Sequence, residues 1–381
     1  MIDTIIPFYL ANGLLAFGLA YTAPSSGLRM LITLLITCCC LLSVRSSVAG
    51  LIPFSVGRRY IIALLLHSNN FLIFNKIRPD PKLTVGEKNW WAIGQTVDPR
   101  WGTNHGLRFR PRDPNYVPTR FELFFSRLWD LAWCSAIAWA LAKYKPRTPV
   151  RHFIYTPDDF INRIGDVSQY EMTIRTYTAL SGILHEYVTI RACHSFGTCV
   201  AMVGGGDPRA WPPLFGSPLE AYTVRRYYTK FWHQLTRKAL TAPAVALCRL
   251  IGLPRRSPIT RFIISVLAFY VTCIMHILAM PRLERCCSYP QFRYYTAIIA
   301  AMILEDVVIK AYDIWKGHSQ RVPQSATVVE KSAADAYPAG EKAEAQPSLP
   351  LRILGYTWVL CFNIWVCSIT VYGIYGRCIR G

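Results

Sequence analysis

Residues 262–280 read FIISVLAFYVTCIMHILAM. No charged side chain interrupts the run. Its length is close to the roughly 20 residues a helix needs to cross a hydrocarbon core at about 1.5 Å of rise per residue. One ionisable group lies deep inside it, His276. An imidazole in hydrocarbon is costly unless it is hydrogen-bonded or lines a cavity. Two readings stand side by side. His276 is a general base, since a neutral imidazole accepts a proton, or it is a packing contact to a neighbouring helix.

Working outward, about eight apolar segments of this kind alternate with polar stretches. Towards the N-terminus lie 5–23, 30–44 (extending past Arg45 towards Phe54), and 60–74, a short segment with His67, Asn69 and Asn70 that reads as a tilted span or an interfacial helix. The segment 121–141 carries Asp130. The segment 172–193 carries Arg175, His185, Glu186 and Arg191, so it must face protein or water if it crosses. The run 239–253 is short enough to be re-entrant or interfacial. Further on, 294–315 carries Glu305 and Asp306, and 353–375 is the last span. The expected fold is therefore all-α: one domain over 1–381, a polytopic transmembrane helical bundle of about 7–9 spans.

The stretches between the spans have their own character. Residues 75–119 are rich in Pro, Gly, Arg and Trp and read as an extramembrane loop, with Trp90, Trp91 and Trp101 suited to the headgroup level. Residues 317–350 are rich in Ala, Glu, Lys, Pro and Ser with no apolar period, and read as a disordered loop. The N-terminus lacks a basic leader region, so the first segment reads as a retained span rather than a secretory signal. Basic residues occupy nearly every loop, so the positive-inside rule gives little contrast, and Arg45, Arg58 and Arg59 conflict with a simple alternating topology.

Totals agree with this picture. Hydrophobic residues make up 52% of the 381 and charged residues 17%, below the roughly 25% charge usual in soluble domains. The net charge of +20 would suggest nucleic acid in a soluble protein. Here the basic residues sit between apolar segments, which favours anionic lipid headgroups or a phosphorylated co-substrate and excludes nucleic acid as a partner. The 13 cysteines show neither zinc-ligand spacing nor a disulfide framework, and those inside apolar runs read as small buried hydrophobes. No metal site is expected.

A second informative stretch, 211–238, reads WPPLFGSPLEAYTVRRYYTKFWHQLTRK. Gly216, Ser217 and Pro218 make a turn. From Leu219 to Pro243 there is neither Gly nor Pro, which predicts a continuous helix. On such a helix Arg226, Lys230, His233 and Arg237, spaced by four, three and four, share one face. Three cations beside an imidazole suit a phosphate-bearing co-substrate next to a reacting group. A juxtamembrane basic helix resting on headgroups is the alternative.

At these two stretches the sequence resembles the wax-synthase-like branch of the membrane-bound O-acyltransferases. The family's pattern FW-G-R-x-WHQ is similar to Tyr227, Tyr228, Thr229, Lys230, Phe231, Trp232, His233, Gln234, and its pattern F-x-x-S-G-x-x-H is similar to Phe269, Thr272, Cys273, His276. Order and separation, about 40 residues, also fit. Departures are Tyr228 for Trp, Thr229 for Gly, and Thr272 and Cys273 for Ser and Gly. The resemblance covers about a fifth of the chain. It implies a catalytic pair, His233 and His276, and an acyl-CoA co-substrate held by Arg226, Lys230, Arg237, Trp232 and Gln234, with no bound cofactor. It implies transfer of an acyl group to a hydroxyl of a lipophilic acceptor at the endoplasmic reticulum. Within the family the chain looks like the fungal O-acetyltransferases acting on terpenoid or meroterpenoid hydroxyls, with a long-chain wax synthase as the alternative. His185, in its own Ser181-Gly182-x-x-His string, is the runner-up catalytic histidine, while His67 reads as a structural contact. A membrane transporter lined by Asp130, Arg175, Glu186, Glu305 and Asp306 is the rival class, although no internal repeat supports it.

Overall fold

The computed structural model describes residues 2–46, 54–97, 116–144, 165–233, 236–254, 257–279, 285–315 and 347–378, with single residues 109, 148, 152 and 163. Their regular structure is entirely helical. In chain order the helices are α1 (Ile2–Tyr21), α2 (Gly27–Ser46), α3 (Phe54–Asn69, continued by a wide turn Asn70–Phe74), α4 (Val85–Val97), α5 (Arg120–Lys143), α6 (Gln169–Val203), α7 (Val224–Arg226, continued by a wide turn Tyr227–Phe231), α8 (Arg237–Leu250), α9 (Pro258–Ala279), α10 (Arg285–Trp315) and α11 (Leu349–Cys378).

Three of these are long and apolar enough to cross a membrane, over Gly27–Val44, Pro258–Ala279 and Leu349–Gly373. Ile6–Tyr21 and Ile61–Phe74 are apolar but shorter. Among the described residues these three meet the length and composition of a span, and the expected count of 7–9 is not established by them. The long helices α5, α6 and α10 carry charges within their apolar stretches, and those charges find partners inside the protein. Outward surfaces fit a lipid environment: Met30, Leu31, Leu34 and Leu42 of α2 and Leu354 and Leu360 of α11 are all exposed. Cys40, Cys134 and Cys273 are buried, as expected of small apolar side chains.

Two stretches gain local detail. Residues 75–119 are not loop throughout: α4 occupies Val85–Val97, with a hydrogen-bonded start in which Thr84 N–H donates to Glu87 Oε2 (2.8 Å) and Glu87 N–H to Thr84 Oγ1 (3.3 Å). The run from 239 is a helix, α8, that begins at Arg237 and passes through Pro243. The expected disordered loop, 317–350, lies outside the described residues up to 346; Leu349 and Pro350 already belong to α11.

Helix starts follow from capping chemistry. Thr119 and Glu122 form a reciprocal capping box on α5, and Ser168 accepts the Glu171 N–H at the start of α6. Packing runs from α5 to α6, then α11, α10, α9, α3, α2 and α1, each helix contacting the next. Two apolar clusters result. One joins α1 to α4 and receives Met275 and Leu278 of α9. The other joins the segment 221–232 to α9, α10 and α11. Helix α9 is the element common to both.

Candidate active site

The segment 211–238 is not the continuous helix its sequence predicts. Short helical turns at Pro218–Glu220 and Val224–Arg226 lead into the wide turn Tyr227–Phe231, in which Trp232 N–H donates to Tyr227 O (2.7 Å). Trp232 then adopts an extended conformation, φ −60° and ψ 154°. The cause lies in the preceding loop. The Phe231 carbonyl, which a continuing helix would need for its own ladder, accepts the Gly216 N–H instead (3.0 Å). The approach is so close that a Cβ on Gly216 would sit 2.0 Å from Lys230 O. Arg226, Lys230, His233 and Arg237 therefore do not form a single helix face. The sequence-based helix is broken between Phe231 and Arg237.

The start of α7 is held by α10. Thr223 Oγ1 accepts Arg226 N–H (3.0 Å). The Glu305 carboxylate accepts Val224 N–H on one oxygen and Arg225 N–H on the other (3.0 Å), and the first oxygen also accepts Trp358 Nε1–H of α11 (2.8 Å). A carboxylate at a helix start meets unpaired backbone donors and the positive end of the dipole. Arg225 pairs with Asp306 (2.5 Å). Helix α11 is notched to admit the loop, since a Cβ on Gly355 would lie 2.2 Å from Tyr222 O. Glu305, Gly216 and Gly355 are the residues that sequence reading missed as site builders. The one available signal was a pair of acids inside an otherwise apolar run.

Both expected histidines border the cluster that this segment makes with α9, α10 and α11. His276 lies on the face of α9 that also carries Phe269 and Cys273, at steps of four and three. Cys273 is fully buried in the cluster. The His276 ring is 5.8 Å from that of Tyr295. On the other side His233 packs against Trp232 (5.5 Å) and edge-on to Phe215 (6.0 Å). Trp232 stacks on Tyr227 at 5.6 Å and 20°. Tyr227 meets Tyr228 (4.9 Å), the Tyr228 and Tyr294 hydroxyls are 3.1 Å apart, and Tyr294 meets Tyr295 (5.0 Å). A continuous wall of aromatic rings thus runs from one histidine to the other. Both histidines are half-buried. A narrow cleft between α9 and α10, lined by Arg225, Ser265, Phe269 and Met302, opens beside the same turn.

The expected phosphate-binding residues separate on inspection. Arg226 is committed locally: it pairs with Glu220, donates from Nε to the Glu220 carbonyl (3.2 Å) and covers the Tyr222 ring. Lys230 is half-buried on the wide turn, and Arg237 opens α8, its Nη1 3.5 Å from Thr229 O. Beside it, partial burial pulls the Lys238 ammonium below its ordinary pKa, since desolvation disfavours the charged form. Gln234 lies outside the described residues.

The competing histidines fall elsewhere. His185 is exposed on α6 beside exposed Leu184, while Tyr187 of the same helix packs against Phe215 (4.5 Å) and Phe231 (6.1 Å) of the segment 211–238. His67 is fully buried in α3, its ring 3.8 Å from that of Phe71. The polar residues of the transporter reading are mostly paired across helices. Asp130 of α5 accepts from Arg127 (2.9 Å) and Trp133 (3.0 Å), and from Arg191 of α6 (2.9 Å). Arg175 is bonded to Glu171 (2.8 Å) and lies over Tyr372 of α11 at 3.9 Å. Buried charges of this kind are tolerated when paired, and these fasten helices together rather than line a path.

Comparison with known proteins converges on the same segment. Residues 211–293 match the model of the membrane bound O-acyl transferase family. Acetyltransferase aurG of Calcarisporium arbuscula is 26% identical over 286 residues, 72% of this chain and 60% of that protein. Acetyltransferase ataH of Aspergillus terreus is 43% identical over 81 residues, 20% of this chain and 27% of that protein. Acetyltransferase atnC of an Arthrinium species is 35% identical over 116 residues, 29% and 26% respectively. The chain thus spans 60% or less of the length of these relatives. No solved structure matches. Through the segment that builds this site, the chain is similar to the membrane bound O-acyl transferase family and to fungal proteins named as acetyltransferases.

Proposed function

We propose that this protein is a multi-pass membrane O-acyltransferase that moves an acetyl group from acetyl-CoA to a hydroxyl of a lipophilic terpenoid or meroterpenoid, in secondary metabolism at the endoplasmic reticulum. The observation that carries the reading is the aromatic wall joining His233 to His276. It ties the two motif histidines to one apolar cluster, in the segment where the family likeness lies.

In this reading His276 removes the proton of the acceptor hydroxyl as its oxygen attacks the thioester carbonyl carbon. Alcohols are weak nucleophiles unless a base is adjacent. His233 donates to the carbonyl oxygen, where negative charge develops and a preorganised donor counts most. The carbon–sulfur bond breaks, the CoA thiolate takes the proton from the His276 imidazolium, and the ester leaves into the apolar surroundings. No covalent acyl-enzyme is needed. Lys230 and Arg237 hold CoA phosphates, while Arg226, bound to Glu220, shapes the loop. Trp232 lines the co-substrate side, and Gln234 is assigned to co-substrate binding from its place in the motif alone.

The test is acyl transfer by microsomes containing the full chain. Labelled acetyl-CoA and palmitoyl-CoA are supplied separately with terpenoid and fatty alcohols. Label entering a terpenoid ester from acetyl-CoA is expected. His276→Ala should reduce the rate by about 10²–10⁴ at an equal level of inserted protein. Unchanged activity in that variant removes the base assignment. Wax formed from palmitoyl-CoA replaces the acetyl reading with the long-chain one.

A further inference from the structure

The string that made His185 a candidate brings a different residue of α6 to the site. Two positions on, Tyr187 meets the segment 211–238. Its ring lies 4.5 Å from that of Phe215 and is nearly parallel to that of Phe231 (6.1 Å, 21°). These two phenylalanines flank the bond that ends the helix, since Gly216 N–H, one residue after Phe215, donates to the Phe231 carbonyl (3.0 Å). Phe215 is buried and stands edge-on to both Trp232 (5.7 Å, 83°) and His233 (6.0 Å, 85°). One ring, Phe215, is therefore the neighbour of Tyr187 and of His233 alike.

The far side of Tyr187 is tied to the charged contacts between α5 and α6. Tyr187 and Arg191 are four residues apart, on one face of α6, and Arg191 Nη1–H donates to the Tyr187 hydroxyl (2.8 Å). Arg191 Nη2–H donates to Asp130 Oδ1 of α5 (2.9 Å), and the same oxygen accepts the Trp133 indole N–H (3.0 Å). The Trp133 ring lies 6.2 Å from that of Tyr187, at 33°. Charge-assisted bonds are among the stronger ones, and aromatic pairs add to the stabilisation of the area they bury. The phenol is thus held by its hydroxyl and by its ring from two helices, and it offers the loop a fixed surface. Glu305 holds the segment at Val224 and Arg225. Tyr187 supports it at Phe215 and Phe231, next to His233.

Resting on the acyltransfer reading above, in which His233 donates to the thioester oxygen, we propose that Tyr187 is a positioning residue: its ring, acting through Phe215, sets the place of the His233 ring. Removing the ring leaves space into which Phe215 and Phe231 partly relax. A displacement of about 1 Å at a reacting group typically costs about 10²-fold in rate. The ring carries the effect, because it is the ring that meets Phe215, and the hydroxyl bond to Arg191 steadies it.

The experiment measures ester formation from labelled acetyl-CoA by the full chain in microsomes, at matched levels of inserted protein, for wild type, Tyr187→Leu, His233→Ala and the double variant. Tyr187→Leu should lower kcat by about 10- to 100-fold. Tyr187→Phe, which keeps the ring, should work within about threefold of wild type. In the His233→Ala protein, Tyr187→Leu should cost less than about twofold, because no imidazole remains to be placed; residues that act through one another show such non-additivity. Where Tyr187→Leu fails to accumulate, Tyr187→Met takes its place with the same expectations. Losses that multiply in the double variant give Tyr187 a structural role only and overturn the proposal. So does a Tyr187→Leu protein working within about twofold of wild type. Where the His233→Ala pair forms too little ester to compare, the ring contrast decides: a Tyr187→Phe protein as slow as Tyr187→Leu overturns the proposal. Full activity in His233→Ala instead removes the assignment of His233, and this inference with it. No ester from wild type removes acyl transfer itself.

Discussion

Gly216→Ala is the sharpest perturbation of the site that leaves its chemistry untouched. The added Cβ would lie 2.0 Å from Lys230 O, 3.0 Å from Lys230 C and 3.4 Å from Phe231 Cα, and real Cβ atoms essentially never approach closer than 3.0 Å. The loop or the wide turn must therefore move by about 1 Å at least. The obstruction is backbone, so no side-chain rotation relieves it. The same movement strains the Gly216 N–H bond to Phe231 O, worth about 1 kcal/mol. That carbonyl precedes the extended residue that aims His233. A displacement of about 1 Å at a reacting group typically costs about 10²-fold in rate, so kcat should fall by about that factor while His233 and His276 are both present. The assay is ester formation at matched levels of inserted protein, with detergent thermal unfolding in parallel. Gly94→Ala is the control: its Cβ meets nothing within 4 Å and it lies in α4. It should keep full activity. Gly216→Ala working within about twofold of wild type would refute the claim that this contact sets the position of His233.

Other outcomes follow from the same geometry. Glu305→Ala removes the acceptor for Val224 N–H, Arg225 N–H and Trp358 Nε1–H. It should cost about 3 kcal/mol or more, read as a lower midpoint of thermal unfolding together with lost activity; an unshifted midpoint contradicts the capping role. His185→Ala should retain activity within about twofold, because His185 is exposed on α6 and exposed substitutions cost little; a loss comparable to that of His276→Ala would make it the candidate base instead. Asp130→Asn leaves the Arg127 and Arg191 guanidiniums without their carboxylate at the α5–α6 interface. It should lower stability by about 2 kcal/mol, measured by unfolding in detergent, with the donor preference unchanged.

How much of this was legible in the sequence depends on the range of the interaction involved. The clean apolar run of α9 and the polar interruptions of α5, α6 and α10 were readable, because hydropathy is a local property. Which runs cross was not. Asp130 reads as a defect in a span until Arg191, 61 residues away, is placed beside it. His276 and the Trp232–His233 pair were singled out from residue pattern, and both histidines border one apolar cluster, through Tyr295 and Trp232. The continuous helix from Leu219 was misread for a physical reason. Local composition favoured it, but a backbone donor from Gly216 captured the Phe231 carbonyl. Helix propensities are a few tenths of a kcal/mol per residue and yield readily to such tertiary contacts. Arg226 illustrates the same point, since Glu220, six residues earlier, claims it. Pro243 lies inside α8.

The three acceptor bonds of Glu305 also carry a temporal consequence. Val224 and Arg225 leave the ribosome some 80 residues before the carboxylate that caps them, and Trp358 and the Gly355 notch come later still. Throughout that interval the nascent loop has only α6 to pack against, where Tyr187 meets Phe215 and Phe231, and the Glu305, Trp358 and Gly355 supports are added when α10 and α11 have been synthesised and inserted. On the proposed acyl transfer, activity is expected to depend on completion of the C-terminal bundle: a product ending before α10 would hold both histidines in its sequence and be expected inert, and a pulse-chase of the full chain should show ester-forming capacity emerging with the last helices rather than with the motif itself.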